Sequence, residues 1–237
     1  MYQIGGATGR VGDPSGRLVE RQLADVKQVE DNVVNLTSSI RAFFERAYLY
    51  AGSRVSVDSN ATSEPVVRSN LDWHASFTLL DFLQTVGVHA RVNTMLNRER
   101  CVGRSFYNRT RLPSVSVRAR LTSQQGLSFT EFTYQLLQAY DFYYLHKHFG
   151  CSIQVGGSDQ WGNIVAGLEL IGKMEPSHPI QNTPNGVYGF TTPLLTTSSG
   201  EKFGKSAGNA VWLDSSLTSV FEFYQVSKLY GEKFIKV

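Results

Sequence analysis

Cysteine is scarce. Cys101 and Cys151 are two cysteines in 237 residues, without paired spacing, which argues against a disulfide framework or a zinc site and for a reducing compartment. Both are expected as small core residues. Long apolar runs are missing too. No stretch approaches the roughly 20 residues needed to cross a bilayer, and the N-terminus shows neither a basic-apolar signal nor an arginine-rich amphipathic leader. The chain as given reads as soluble, with no membrane partner and no address. A strong charge of one sign is also lacking. The net charge of +3 and pI near 8.8 admit an RNA partner without demanding one. Two nucleotide motifs fail on spacing. The glycines between Gly5 and Arg17 do not fit G-x-G-x-x-G, and Ser199 stands where a Walker A loop ending at Gly204 and Lys205 needs glycine. What remains, 41% hydrophobic and 18% charged, is an ordinary globular composition sufficient for one domain or one and a half.

The most informative stretch runs from Ser128 to Met174 and reads as helix, short strand, glycine turn, helix. Ser128 and Glu131 have capping-box spacing ahead of a long apolar run, and Gly150 supplies a left-handed stop. Within that helix Tyr134, Gln138 and Asp141 fall at i, i+4 and i+7 and share one stripe. A solvated face is the ordinary fate of such a stripe; on a helix otherwise rich in Phe, Tyr and Leu, the alternative is a polar partner. CSIQV, Cys151 to Val155, is short and apolar enough for a buried parallel strand. Gly156 and Gly157 then allow a sharp turn or close ligand approach, before Ser158, Asp159 and Gln160 open the second helix. Ligands of open α/β sheets sit beyond the carboxyl ends of strands, and this turn is such a place.

Ahead of this stretch, Met1 to Ile4 reads as a strand tail running into GGATGRVGDPSGR, a glycine- and proline-dense loop around Asp13. Helical spacing of Val26, Val29, Val33, Leu36, Ile40 and Phe44 predicts a scaffold helix packed on the sheet within Glu20 to Tyr50. A strand is expected at Arg54 to Val57, then a helical pair from Asp72 to Leu96 that is either core or partner surface. His74 and His89 are expected at its surface or interface. Arginines from Arg98 to Arg120 form the most basic region, a solvated face or a phosphate contact. A polar loop is expected from Glu175 to Gly189. Lys202, Lys205 and Ser206 then stand on a loop flanked by glycine and serine.

QVGGSDQWGN at Gln154 to Asn163, YQLLQAYDF at Tyr134 to Phe142, the loop around Asp13, and KFGKS at Lys202 to Ser206 together resemble the tyrosyl-tRNA synthetases of the bacterial and organellar branch. GKSAGNAVWL looks particularly like the mitochondrial enzymes of animals. The resemblance runs from residue 1 to about 225 and implies an incomplete class I catalytic domain: a Rossmann-like α/β fold, a parallel sheet with helices on both faces, lacking its first strand. It further implies a helical dimer insertion over about 72–121 with Leu79, Phe82, Leu83 and Met95 at the interface, a divergent tail at 226–237, and a mitochondrial matrix location, with the cytoplasm as the alternative.

By the same resemblance Asp141 would bind the tyrosine hydroxyl, Asp13, Tyr134 and Gln138 its ammonium group, and Gln160 the region near its carboxylate. Gly157 and Asp159 would hold the ribose of ATP, Leu194 and Leu195 the adenine, and Lys202, Lys205 and Ser206 the pyrophosphate. Tyrosine, ATP with Mg2+, tRNA(Tyr) and a second copy of the chain are the implied partners, with no tightly bound cofactor and no protein metal site. None of His74, His89, His146, His148 and His178 sits in the family's His-x-Gly-His signature, so weak adenylate formation by this chain is expected. A non-catalytic binding module derived from the enzyme, and the sister synthetase for tryptophan, are the alternatives. The acid and tyrosine on the QAYDF helix favour tyrosine.

Overall fold

In the computed structural model, which describes residues 1–15, 24–54, 65–97, 128–175, 186–194, 210–212 and 214–234, four short strands pair in parallel. β1 (Tyr2–Ile4) pairs with β2 (Val67–Ser69), and β3 (Ile153–Gly157) with β4 (Tyr188–Thr192), giving two two-stranded sheets among the described residues. Between β1 and β2 come α1 (Thr8–Val11) and α2 (Val26–Gly52). After β2 the chain forms α3 (Leu71–His74), α4 (Leu79–Thr85), a 3-10 turn (Gly87–His89) and α5 (Val92–Asn97). Then follow α6 (Phe129–Phe149), β3, a 3-10 turn (Ser158–Gln160), α7 (Trp161–Met174), β4 and finally α8 (Val220–Phe234). The chain divides into two compact units, Met1–Val34 with Val66–Pro193, and Asn35–Pro65 with Leu194–Val237.

The first unit is built on α6. Ser128 Oγ accepts the Glu131 backbone N–H at 3.3 Å at its start, and Gly150 ends it with φ 65. Only a residue indifferent to the left-handed region lets the Gly150 and Cys151 amides fold back on His146 and Leu145 (3.0 and 3.2 Å), which aims the chain into β3. Phe142, Ala139 and Leu136 of α6 meet Ala166, Leu170 and Ile171 of α7 in the core. Burying each large apolar side chain there contributes about 1.5–3 kcal/mol. β4 lies so close under α7 that a Cβ on Gly189 would stand 2.4 Å from Ile164 Cγ2, so this strand position requires glycine.

Several sequence expectations change here. β3 is not a buried strand: Gln154 turns toward α7, while Ile153 and Val155 are 54% and 64% exposed on the other face. Its apolar composition misled because only one face of the β3–β4 pair is covered by a described helix. Cys151 is half-buried rather than core. The Gly5–Arg17 loop contains a helical turn, α1. The polar segment after Glu175 ends earlier than expected, since β4 begins at Tyr188. β2 gave too short an apolar signal to be noticed, and the strand expected at 54–57 lies, beyond Arg54, outside the described residues. The expected helical pair is three short pieces, α3, α4 and α5. Thr78 and Asp81 form a complete capping box on α4 that restarts the chain after Ala75. Of the four expected dimer residues, Met95 is 2% exposed in the core and Phe82 packs against that core, whereas Leu79 and Leu83 are exposed.

α2 is less buried than its spacing predicts. Val29 is buried in the first unit, but Val26 is exposed, as is Leu36 in the second. Also in the second unit, Ser219 and Glu222 cap α8 reciprocally (3.2 and 3.0 Å), and the serine holds the Glu222 carboxyl below its usual range.

Candidate active site

The polar stripe on α6 faces inward. Tyr134 is buried, Gln138 half-buried, and Asp141 fully buried at 0% exposure, so the solvated-face alternative does not hold. A carboxylate removed from water must be surrounded by donors, and Asp141 has four. Trp73 Nε1 donates to Oδ1 at 2.8 Å, and His74 Nε2 meets the same oxygen at 2.8 Å. Since a carboxylate only accepts, that imidazole nitrogen carries a proton. Asn70 Nδ2 donates to Oδ2 at 3.0 Å, and Gln3 Nε2 donates to the same oxygen. Asn70 is itself fully committed, its Oδ1 receiving the Ala7 amide at 2.7 Å and its Nδ2 also reaching Thr8 Oγ1 at 2.8 Å. It therefore ties the glycine loop after β1 to the central helix.

Around this acid lies a layer of rings. Trp73 stacks on Tyr144 (4.7 Å between centroids, 17°), Tyr140 stacks on Phe77 (4.7 Å, 28°), and His74 tilts against Tyr140 at 5.7 Å. Burial, and then the neighbouring Tyr144 and Tyr143 hydroxyls, push the Tyr140 phenol pKa up, so it remains a neutral donor. Lys147 donates to the Tyr143 hydroxyl at 2.9 Å, which raises the lysine pKa.

One turn away along α6 is a second polar group. Gln160 Nε2 donates to Asp13 Oδ2 at 2.7 Å, while Asp13 Oδ1 receives the Ser15 amide at 2.8 Å in an Asx turn. Asn163, buried in the first turn of α7, spreads its amide over Gln138 Oε1 (3.0 Å), Gln160 Oε1 (3.2 Å) and Ser15 Oγ (3.3 Å). The sequence-expected Asp13, Gln138 and Gln160 thus converge from the glycine loop, α6 and the β3–α7 turn. Gly157 ends β3 and Asp159 lies in the 3-10 turn, both half-buried beside Gln160 in sequence. Gly156 does not turn the chain. It is a strand residue whose missing Cβ would stand 3.1 Å from Gln160 Cβ, so its role is close packing. Leu194 is half-buried and belongs to the second unit; Leu195, Lys202, Lys205 and Ser206, like the basic segment 98–120, lie outside the described residues.

Sequence reading missed Gln3, Asn70, Trp73, His74 and Asn163. His74, expected at a surface or interface, has a side chain only 9% exposed because Asp141 holds it inward. A signal existed: Asn70, Trp73 and His74 fall at i, i+3 and i+4, one face of a helical turn. Asn70 stands at the N-cap position of α3, yet its side chain makes no capping bond there.

The family model for tRNA synthetases class I (W and Y) matches residues 1–230. The mitochondrial tyrosine–tRNA ligase of Saccharomyces cerevisiae is 44% identical over 224 residues, which is 94% of this chain and 41% of that protein. The chloroplastic/mitochondrial tyrosine–tRNA ligase of Arabidopsis thaliana is 45% identical over 222 residues, 94% of this chain and 37% of that one. A C-terminally truncated mitochondrial tyrosyl-tRNA synthetase of Coccidioides posadasii superposes with TM-score 0.67 and 30% identity, covering 95% of this chain and 56% of that one. The chain thus spans less than half the length of these curated relatives. With the family model matching nearly its whole length and the fold shared with a solved synthetase, the chain belongs to the class I tRNA synthetases (W and Y).

Proposed function

We propose that this chain carries the tyrosine-activating site of a tyrosine–tRNA ligase, which joins tyrosine to ATP as tyrosyl-adenylate and passes it to tRNA(Tyr). The observation that carries the reading is the inward stripe Tyr134, Gln138 and Asp141 of α6, with Asp13 tied to Gln138 of that stripe through Gln160 and Asn163. Asp141 accepts the phenol hydroxyl, while Asp13, Tyr134 and Gln138 face the ammonium group and Gln160 the region near the carboxylate. The acid and the tyrosine on the QAYDF helix favour tyrosine over tryptophan. Gly157 and Asp159 serve the ribose and Leu194 and Leu195 the adenine.

Adenylate formation asks for orientation and charge neutralisation more than for acid–base chemistry. Lys202, Lys205 and Ser206 neutralise charge gathering on the departing pyrophosphate. Among the described residues no three His, Cys, Asp or Glu side chains converge as a metal cluster. Magnesium would arrive with ATP, whose phosphates and water supply most of its oxygen ligands. The relatives at this similarity include organellar and bacterial proteins, and we assign this chain to the mitochondrial matrix. A homodimer through the exposed Leu79, Leu80 and Leu83 of α4 completes the assignment.

Tyrosine-dependent ATP–pyrophosphate exchange tests the reading, with phenylalanine and tryptophan as competitors. Lys205→Ala is expected to lower the exchange rate by roughly 10² to 10³ with little change in tyrosine affinity. Tyrosine binding without exchange would favour the non-catalytic module instead, and preference for tryptophan would overturn the substrate.

A further inference from the structure

The four donors around Asp141 leave it no spare acceptor position. An ionised carboxylate offers about four lone-pair directions, and Trp73 and His74 take those of Oδ1 while Asn70 and Gln3 take those of Oδ2. A substrate phenol is one more donor. For Asp141 to accept it, a protein donor must leave, and the four differ in how easily they can.

Trp73 is buried with its ring stacked on Tyr144, and its single N–H would be stranded. Asn70 is fully buried and anchored at both ends of its amide by Ala7 and Thr8. His74 is confined between Asp141 and Tyr140 on a helical turn. Gln3 alone stands on a strand, β1, is half-buried, and reaches the acid by a side chain with three rotatable bonds whose hydrogen bond to Asp141 is its one side-chain bond among the described residues. Its amide can swing away and be satisfied by water at modest cost.

We propose that Gln3 is a positioning residue that competes with substrate, occupying the phenol-accepting position of Asp141 until tyrosine displaces it. This rests on the reading of the site as a tyrosine site. The amide caps the buried acid in the empty pocket, and the incoming hydroxyl replaces one donor by another, so the carboxylate is never left short of a partner.

The consequence has a sign. A residue that merely supports Asp141 weakens tyrosine binding when removed, whereas a competitor strengthens it. Gln3→Met keeps the length and volume and removes the donor. By titration calorimetry on the full chain it is expected to bind tyrosine about tenfold more tightly, the size of one hydrogen bond to a charged acceptor that no longer has to be broken. Phenylalanine affinity is expected to change by less than about twofold, because phenylalanine makes no claim on Oδ2. Gln3→Ala, which removes the amide by shortening the side chain, is expected to move the ratio of the two affinities in the same direction, and thermal melts of both variants report folding separately. Tyrosine affinity that falls or stays level in both variants, or rises equally for both amino acids, overturns the assignment of Gln3 alone. A wild-type chain that binds neither amino acid overturns the tyrosine reading and this inference with it.

Discussion

Asp141 and Asp13 are both acids of the candidate site, but they are held in different ways. Asp141 is fully buried and takes donors from β1, from the residue before α3 and from α3 itself. Asp13 is half-buried on a loop and receives one backbone amide and one glutamine side chain. The difference follows from solvation. A charge buried within the fold loses its water whether or not a ligand is present, so the fold itself must supply the replacement. A charge nearer the surface keeps part of its water and needs only to be aimed.

The comparison predicts that the two acids separate in their effects on folding. The largest effect is expected for Asp141→Ala, which strands donors on Gln3, Asn70, Trp73 and His74 and opens a cavity in the core. Removing the partner of a buried, hydrogen-bonded charge network costs about 3–5 kcal/mol, enough to threaten a domain of ordinary stability. Urea unfolding followed by tryptophan fluorescence and circular dichroism measures it. A loss below about 1 kcal/mol would mean that the four bonds do not hold the acid in solution.

A smaller, more local effect is expected from Trp73→Phe. The phenylalanine ring retains much of the stack on Tyr144 but has no N–H, so Oδ1 keeps His74 and loses one donor. One hydrogen bond to a charged group corresponds to about 1.5–3 kcal/mol. If the variant unfolds at the wild-type urea midpoint, the indole contributes through packing alone.

How much of this was legible in the sequence depends on the range of the interaction. The ends of α6 were readable because capping and the left-handed stop are local, set by Ser128, Glu131 and Gly150 within a few residues of the bonds they make. Asp13, Gln138 and Gln160, whose side chains converge in the fold, could be brought together beforehand only through the family resemblance, since 147 residues separate Gln160 from Asp13. Of the cage of Asp141, only the shared helical face of Asn70, Trp73 and His74 was legible, not the acid that it meets. Its partners Gln3 and Asn70 lie 138 and 71 residues away in sequence, and each looked ordinary where it stood, one in a strand and one ahead of a helix. β3 failed for a related reason. Its apolar run reported hydrophobicity on both faces, while burial was decided by α7, which covers only one.

The smallest effect on folding is expected for Asp13→Asn, and there the comparison is sharpest. The asparagine preserves the Asx turn to the Ser15 amide, because its side-chain oxygen can still accept, and its amide can turn toward the Oε1 of Gln160. Stability should therefore change by about 1 kcal/mol or less. Binding is another matter. If Asp13 meets the substrate ammonium group, replacing the charge by a neutral amide removes a charge-assisted hydrogen bond, and tyrosine affinity should fall by about tenfold or more. The loss should shrink as salt rises, since a half-buried charge is partly screened. The same titration with tyramine and with 3-(4-hydroxyphenyl)propionic acid, which lack the carboxylate and the ammonium group respectively, locates the effect. Wild type and Asp13→Asn should differ on tyramine and agree on the propionic acid. Equal losses on both ligands would place Asp13 away from the ammonium group and reduce it to a support for Gln160.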